Sequence, residues 1–155
     1  RVDRSITVST TGDSAGLVGL DASTSEYASY DSDQLTLNFD DLNDNANFVF
    51  NDVFRIVNNG EENIIIDLSQ YLSAIKWDTK FPEAYWTDDE LGTTQNVGGD
   101  GQFNDNRPIL NPGDDIYVQF NFVGRDYEGG QGPSDAPNVI GIYAEATDQS
   151  SNTDS

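Results

Sequence analysis

Apolar and polar residues alternate with a period of two in one short segment after another, and each segment ends in Gly, Asn, Asp or Pro. Alternation of this kind puts apolar side chains on one face of a strand, so it commits the chain to sheets that bury one side. Ser5-Ile6-Thr7-Val8-Ser9 shows it cleanly, with Ile6 and Val8 on one face. Gly16 to Leu20 reads as a second short strand, and the Ser/Tyr/Asp stretch from Asp21 to Asp33 reads as a loop. Gln34 to Phe39 alternates again and runs into a polar turn cluster, Asp40 to Asn45. Phe48 to Val57 reads as one long aromatic strand, closed by the hairpin signal Asn58-Asn59-Gly60.

The second half repeats this grammar. Asn63 to Leu68 is an apolar run suited to a strand buried on both faces, and Leu72 to Trp77 is a further candidate. Thr79 to Arg107 reads as a long irregular segment containing Tyr85-Trp86, Asp88-Asp89-Glu90 and Gly98-Gly99-Asp100-Gly101. Pro112 and Gly113 stand where a type II turn needs them, and the turn launches the strongest strand pattern, Ile116 to Val123. A Gly/Pro-rich loop from Arg125 to Pro137 precedes the last strand, Asn138 to Ala146. Eight or nine strands without helical periodicity predict an all-β fold, a sandwich of two antiparallel sheets, with a closed barrel as the alternative. The expected division is an N-terminal strand in residues 1–10, a single sandwich domain in 11–147 and a mobile tail in 148–155.

Composition narrows the chemistry. The 155 residues include no His, no Cys and no Met, which removes the imidazole base, the thiolate nucleophile and the Cys/His zinc site. A chain that opens Arg1-Val2-Asp3-Arg4 and lacks Met is expected to be a processed product from which a secretory signal peptide has been cut. No run of about 18 apolar residues is present to span a bilayer. With 28 acidic against 7 basic residues the formal charge is −21, a field that repels nucleic acid and anionic lipid. The aromatic content of 11% argues against an acidic disordered tail, so the carboxylates read as the coat of a folded protein living in high salt.

Several segments invite a site and have a plainer explanation beside it. Asp100, Asn104 and Asp105 follow a glycine turn at spacings able to wrap Ca²⁺ or another hard cation. The loop lacks the sixth-position Gly and closing Glu of an EF-hand, and such spacings arise by chance in a chain this rich in Asp and Asn. Glu83, Asp88, Asp89 and Glu90 beside Tyr85 and Trp86 suggest a carboxylate glycosidase, yet paired acids mean little among 28. Trp77, Tyr85 and Trp86 suggest a sugar-stacking face, against the simpler reading of core aromatics. No Asn-x-Ser/Thr sequon occurs. No cofactor is expected.

The first residues are the most informative. Val2, Arg4, Ile6 and Val8 form a strand pattern at the very start of the chain. One reading is an edge strand of the same molecule. The other is a donor strand that fills a groove in a neighbouring subunit and, repeated head to tail, builds an open filament.

Asp52-Val53-Phe54-Arg55-Ile56-Val57-Asn58-Asn59-Gly60-Glu61-Glu62 resembles the F-x-I-x-N-x-G strand and turn of secreted TasA/camelysin-type proteins and their halophilic archaeal relatives. Leu110-Asn111-Pro112-Gly113-Asp114-Asp115 with the strand to Phe122 resembles their L-x-P-G-D turn, and Arg4 to Val8 through Leu17 to Leu20 is similar to the mature start of archaeal members. The resemblance implies a jelly-roll-like sandwich, exported and assembled into extracellular biofilm fibres similar to archaeal bundling pili. It implies that Arg1 to Ser9 is the donor segment, with Val2, Ile6 and Val8 filling the groove. The expected partners are identical subunits in a head-to-tail homopolymer with lateral bundling, with no nucleic acid, no membrane insertion and no catalysis. The long apolar N-terminal helix of type IV pilins is absent. The rival reading is a monomeric cell-surface or S-layer-associated carbohydrate-binding module.

Overall fold

A computed structural model of the chain describes residues 2–31, 34–42, 48–69, 82–91, 100–103, 106–122 and 138–153. Its strands are β1 (Val2–Thr11), β2 (Val18–Asp21), β3 (Ala28–Asp31), β4 (Gln34–Leu42), β5 (Phe48–Phe50), β6 (Arg55–Asn58), β7 (Ile64–Ser69), β8 (Glu83–Thr87), β9 (Gly101–Gln102), β10 (Ile109–Leu110), β11 (Asp115–Phe122) and β12 (Val139–Ala146). One 3-10 turn, Ala15–Leu17, links β1 to β2, and no α-helix occurs among the described residues. The strands form two sheets, the all-β sandwich expected. Sheet A runs β10-β7-β12-β1-β4-β3, and sheet B runs β2-β6-β11-β8-β9 with β5 also paired to β11. Among the described residues the pairings are antiparallel except β1 with β12, which is parallel, so sheet A is mixed where two antiparallel sheets were expected.

The period-two pattern does what it predicts. Ile6 and Val8 of β1, Leu35, Leu37 and Phe39 of β4, and Ile140, Ile142 and Ala144 of β12 project from sheet A into the core. Ile116, Val118, Phe120 and Phe122 of β11 meet them from sheet B. Phe39 contacts Phe50, Phe120 and Phe122, and Phe50 contacts Phe122, with ring centroids 4.7–6.2 Å apart. The turn before β11 is the type II turn expected: the Asp114 N–H donates to the Asn111 carbonyl at 2.9 Å, and Gly113 takes φ 83°.

Four local readings are corrected. The segment Asp21 to Asp33 is not all loop, because Ala28–Asp31 pairs with β4 as the edge of sheet A. Ala28 is buried while Ser29 and Tyr30 are exposed, so the edge strand leaves no alternation to read. Phe48 to Val57 is not one strand. Val53 donates its N–H to the Val118 carbonyl while Val118 donates to the Phe54 carbonyl, so two residues face one across a β-bulge. Asp52 before it sits at φ 51°, and the bulge turns both Val53 and Phe54 into the core. Asn58-Asn59-Gly60 makes no hairpin, since β6 belongs to sheet B and β7 to sheet A. The Asn58 side chain, 1% exposed, accepts from the Gly60 N–H and donates to the Glu62 and Leu110 carbonyls, shaping a wider crossing between the sheets. Within Thr79 to Arg107, Glu83–Thr87 is a regular strand with Ala84 and Trp86 inward. The expected strand Leu72 to Trp77 and loop Arg125 to Pro137 lie outside the described residues.

Ile66 and Leu68 point into the core, so Asp67 between them faces away, opposite Tyr143 of β12, yet it is only 6% exposed. Burial pushes its carboxyl up to about 6, against the opposing pull of the Leu68 N–H and the Arg107 charge. The folded state therefore binds this proton more tightly than the unfolded chain does. The contribution is present below about pH 4 and is lost as pH rises through about 6. Asp67→Asn keeps an acceptor for Leu68 and removes the buried charge. It should be more stable than the parent by about 1–2 kcal/mol at pH 7.5, with the gap closing by pH 4. Denaturant titrations at the two pH values check this, and equal gaps at both would refute the assignment.

Candidate functional site

β1 starts the chain, yet it lies in the middle of sheet A. It pairs on one side with β12, Thr7 to Val139 through Thr11 to Tyr143, and on the other with β4, Val2 to Leu42 through Val8 to Leu35. The edge-strand reading is overturned, because both sides of the strand are used. Ile6 is fully buried and Val8 is 2% exposed. Burying each side chain stabilises by about 1.5–3 kcal/mol. Without β1, the groove between β4 and β12 would expose Leu35, Leu37, Ile140 and Ile142 along with two rows of unpaired backbone groups. Val2 and Arg4 are placed in the same strand, Val2 opposite Leu42 and Arg4 opposite Phe39, with an irregularity between them. Arg1 lies outside the described residues.

The exit from this groove is tightly built. Gly12 ends the strand at φ 94°, and a Cβ there would stand 2.5 Å from the Ala144 carbonyl oxygen. Ser14 donates its N–H to that same carbonyl at 3.0 Å, Ala15 donates to the Gly12 carbonyl at 3.2 Å, and Leu17 to Ser14 at 3.0 Å. Asn59 then donates to the Leu17 carbonyl at 2.8 Å, tying the turn to the sheet crossing. A residue with no side chain is needed where the chain reverses beside β12.

The other sites suggested by the sequence are described only in part. Trp86 is 1% exposed, and its indole N–H donates to the Asn106 carbonyl at 2.6 Å. A core indole offers no stacking face, so the sugar platform is corrected at this residue. Tyr85 is half-buried on the opposite face of β8, its hydroxyl 3.3 Å from the Glu83 carboxylate. Trp77 lies outside the described residues. Asp89 and Glu90 are exposed, and Asp88 donates its backbone N–H to the Asp100 carboxylate at 2.8 Å, so these acids border a turn. Of the cation candidates, Asp100 is exposed and used in that turn, while Asn104 and Asp105 lie outside the described residues. Among the described residues no three His, Cys, Asp or Glu side chains gather as a metal site, and no helix is long and apolar enough to cross a membrane.

Comparison with known proteins finds no match to the chain, whether among family models, curated proteins or solved structures.

The Gly12 geometry has a direct consequence. Gly12→Ala should destabilise the monomer by about 1–3 kcal/mol, from positive φ and collision with the Ala144 backbone. Gly16→Ala, where an added Cβ meets nothing within 4 Å, should be close to neutral. Urea midpoints of the two variants test the contrast, and equal midpoints would show that the turn is not strained by a side chain.

Proposed function

We propose that this chain is a structural subunit of an extracellular filament, exported and polymerised by donating its first strand to the next subunit. The observation that carries the reading is the position of β1: the first described strand fills the centre of sheet A, paired with β12 on one side and β4 on the other. The β1 of a second copy offers the same backbone groups and the same Ile6 and Val8 side chains to the vacated groove.

Self-filling and exchange make nearly the same contacts, so their balance rests on smaller terms. The short link from Gly12 to Leu17 keeps the chain's own β1 at an effective concentration of order millimolar, which favours the closed monomer. Crowding of subunits and release of the constrained turn favour exchange. Each exchange leaves the recipient's own β1 free for another neighbour, so the contact is heterologous and grows head to tail. The resemblance of Asp52 to Glu62 and of Leu110 to Phe122 to TasA/camelysin-type fibre proteins supports the same reading, as does the buried Trp86, which weakens the carbohydrate-binding alternative. No residue is assigned a catalytic role.

Charge sets the conditions. Subunits carrying −21 repel one another at low ionic strength, and molar salt shortens the Debye length to about 3 Å. In molar salt at high protein concentration, electron microscopy should show fibres, with lateral bundles loosening first as salt is withdrawn. A chain lacking residues 1–11 should form no fibres, and it should bind a peptide of residues 1–11 with recovery of its sheet signal. Fibres built by the truncated chain, or none built by the intact one, would refute strand donation.

A further inference from the structure

Among the described residues, β10 ends sheet A, and its outer side is covered by the residues that follow β12. In the antiparallel pair β10–β7, Ile109 lies opposite Ile65, while the Pro108 carbonyl accepts from the Ile66 N–H at 3.0 Å. The inward bonds of this ladder thus belong to Pro108, and the N–H and C=O of Ile109 point away from β7 together with the Arg107 carbonyl. All three outward groups are taken by two side chains. The Asn152 Oδ1 accepts from the Ile109 N–H at 2.8 Å, and its Nδ2 donates to the Arg107 carbonyl at 2.9 Å. The Ser151 hydroxyl donates to the Ile109 carbonyl at 2.8 Å.

The Asn152 carboxamide therefore stands in for the peptide group of an adjacent strand. The segment that carries it is itself anchored. Thr147 donates to the Asn63 carbonyl at 2.9 Å, Asn63 Nδ2 donates to the Gln149 carbonyl at 3.1 Å, and the Thr153 hydroxyl bonds the Asp114 carboxylate. Residues 148–153, expected to be mobile, are held from Asn63, just before β7, to β10 and Asp114 by these bonds.

We propose that β10 is a latent strand-pairing edge, that residues 147–153 are its guard, and that the partner it fits when unguarded is the same edge of a second copy of this chain. The match to a second copy is geometric. An antiparallel hydrogen-bonded pair needs one outward N–H and one outward C=O on a single residue of each strand, and Ile109 supplies both. Two copies related by a twofold axis would satisfy each other at Ile109 with no third element. Covering such an edge with a loop is a recurrent defence against edge-to-edge association. Here the guard uses side chains only, so a pair of substitutions removes it without touching the core.

The test is the double variant Ser151→Ala with Asn152→Ala in the full chain, in molar salt to screen subunit repulsion. In dilute solution the Ile109 amide should exchange with solvent roughly five- to tenfold faster than in the parent, the factor expected for loss of one net hydrogen bond. At raised concentrations that still leave the parent monomeric, sedimentation velocity should show a dimer absent from the parent, with Ile109 protected again. Strand exchange would leave Ile109 exchanging as in the dilute variant, so its renewed protection separates this association from strand exchange and leaves the filament reading to its own test. A variant that stays monomeric, or whose Ile109 amide exchanges as in the parent, would overturn the proposal. If circular dichroism shows the double variant unfolded, Asn152→Ala alone is read by the same two measurements.

Discussion

The closure of sheet A by the first strand is the constraint from which the rest of the fold follows. Thr7 of β1 pairs with Val139 of β12 across almost the whole chain, and Val8 pairs with Leu35 of β4 on the other side. Until β1 is seated, β12 and β4 lack a neighbour on the side where it belongs, and the core over Leu37 and Ile142 is open. Sheet B has no such dependence, since β2, β5, β6, β8, β9 and β11 all come from Val18 to Phe122. Contacts of high sequence separation form late because loop closure comes before any gain from pairing. The two sheets thus have different claims on the chain's beginning, and only sheet A requires it.

The acidic composition is also architectural. Asp outnumbers Glu, and the short carboxylate reaches backbone N–H groups nearby, as a longer side chain does less readily. Asp21 accepts from both the N–H and the hydroxyl of Ser23, bonds that hold its carboxyl below the usual range with help from Arg55. Buried Asp52 accepts from the Leu91 N–H at 2.9 Å, which fixes the chain beside the bulge. Arg55, one of only 7 basic residues, lies 3.2 Å from Asp21 and 2.6 Å from Asp115, so a single guanidinium ties β2, β6 and β11 at the end of sheet B. Exposed pairs of this kind are worth little alone. In a chain of −21, the same pair also removes two like charges from mutual repulsion.

Strands that bury one face were legible in the sequence, and features set by distant geometry were not. Ile116 to Phe122 shows β11 directly because every second side chain enters the core, and Pro112-Gly113 shows its turn because φ 83° selects glycine. β3 was hidden because its exposed Ser29 and Tyr30 obey no core. β8 was masked by its polar surroundings, although Ala84 and Trp86 at alternate positions carried the signal. The bulge at Val53-Phe54 breaks the period-two rule, and two adjacent apolar residues inside an alternating run are its trace. Asn58 looked like half of a hairpin turn, and only its burial against Leu110 reveals a bridge between sheets. At the candidate site, Ile6 and Val8 were readable as a groove-filling face, while their position between β12 and β4 was not. Ser151 and Asn152 carry no local pattern at all, since their role depends on an edge more than 40 positions earlier.

Under the two proposals, sheet A has two ways of gaining a strand, and the chain treats them differently. Its centre is filled by β1, which leads into the Gly12 turn, and under the filament reading replacement there keeps the same pairing and changes only the source of the strand. Its β10 edge is covered by the carboxamide and hydroxyl of residues anchored at Asn63 and Asp114. Growth through the centre is directional, because the donating strand and the receiving groove are different surfaces. Pairing at β10 joins like to like and ends with two copies. A subunit that polymerises through its first strand gains from a guarded β10 edge, because each closed pair at that edge would tie two growing chains together at an arbitrary point. Under the filament reading, the polar residues after β12 therefore keep association on one axis, a role that needs hydrogen-bonding geometry and no hydrophobic signal.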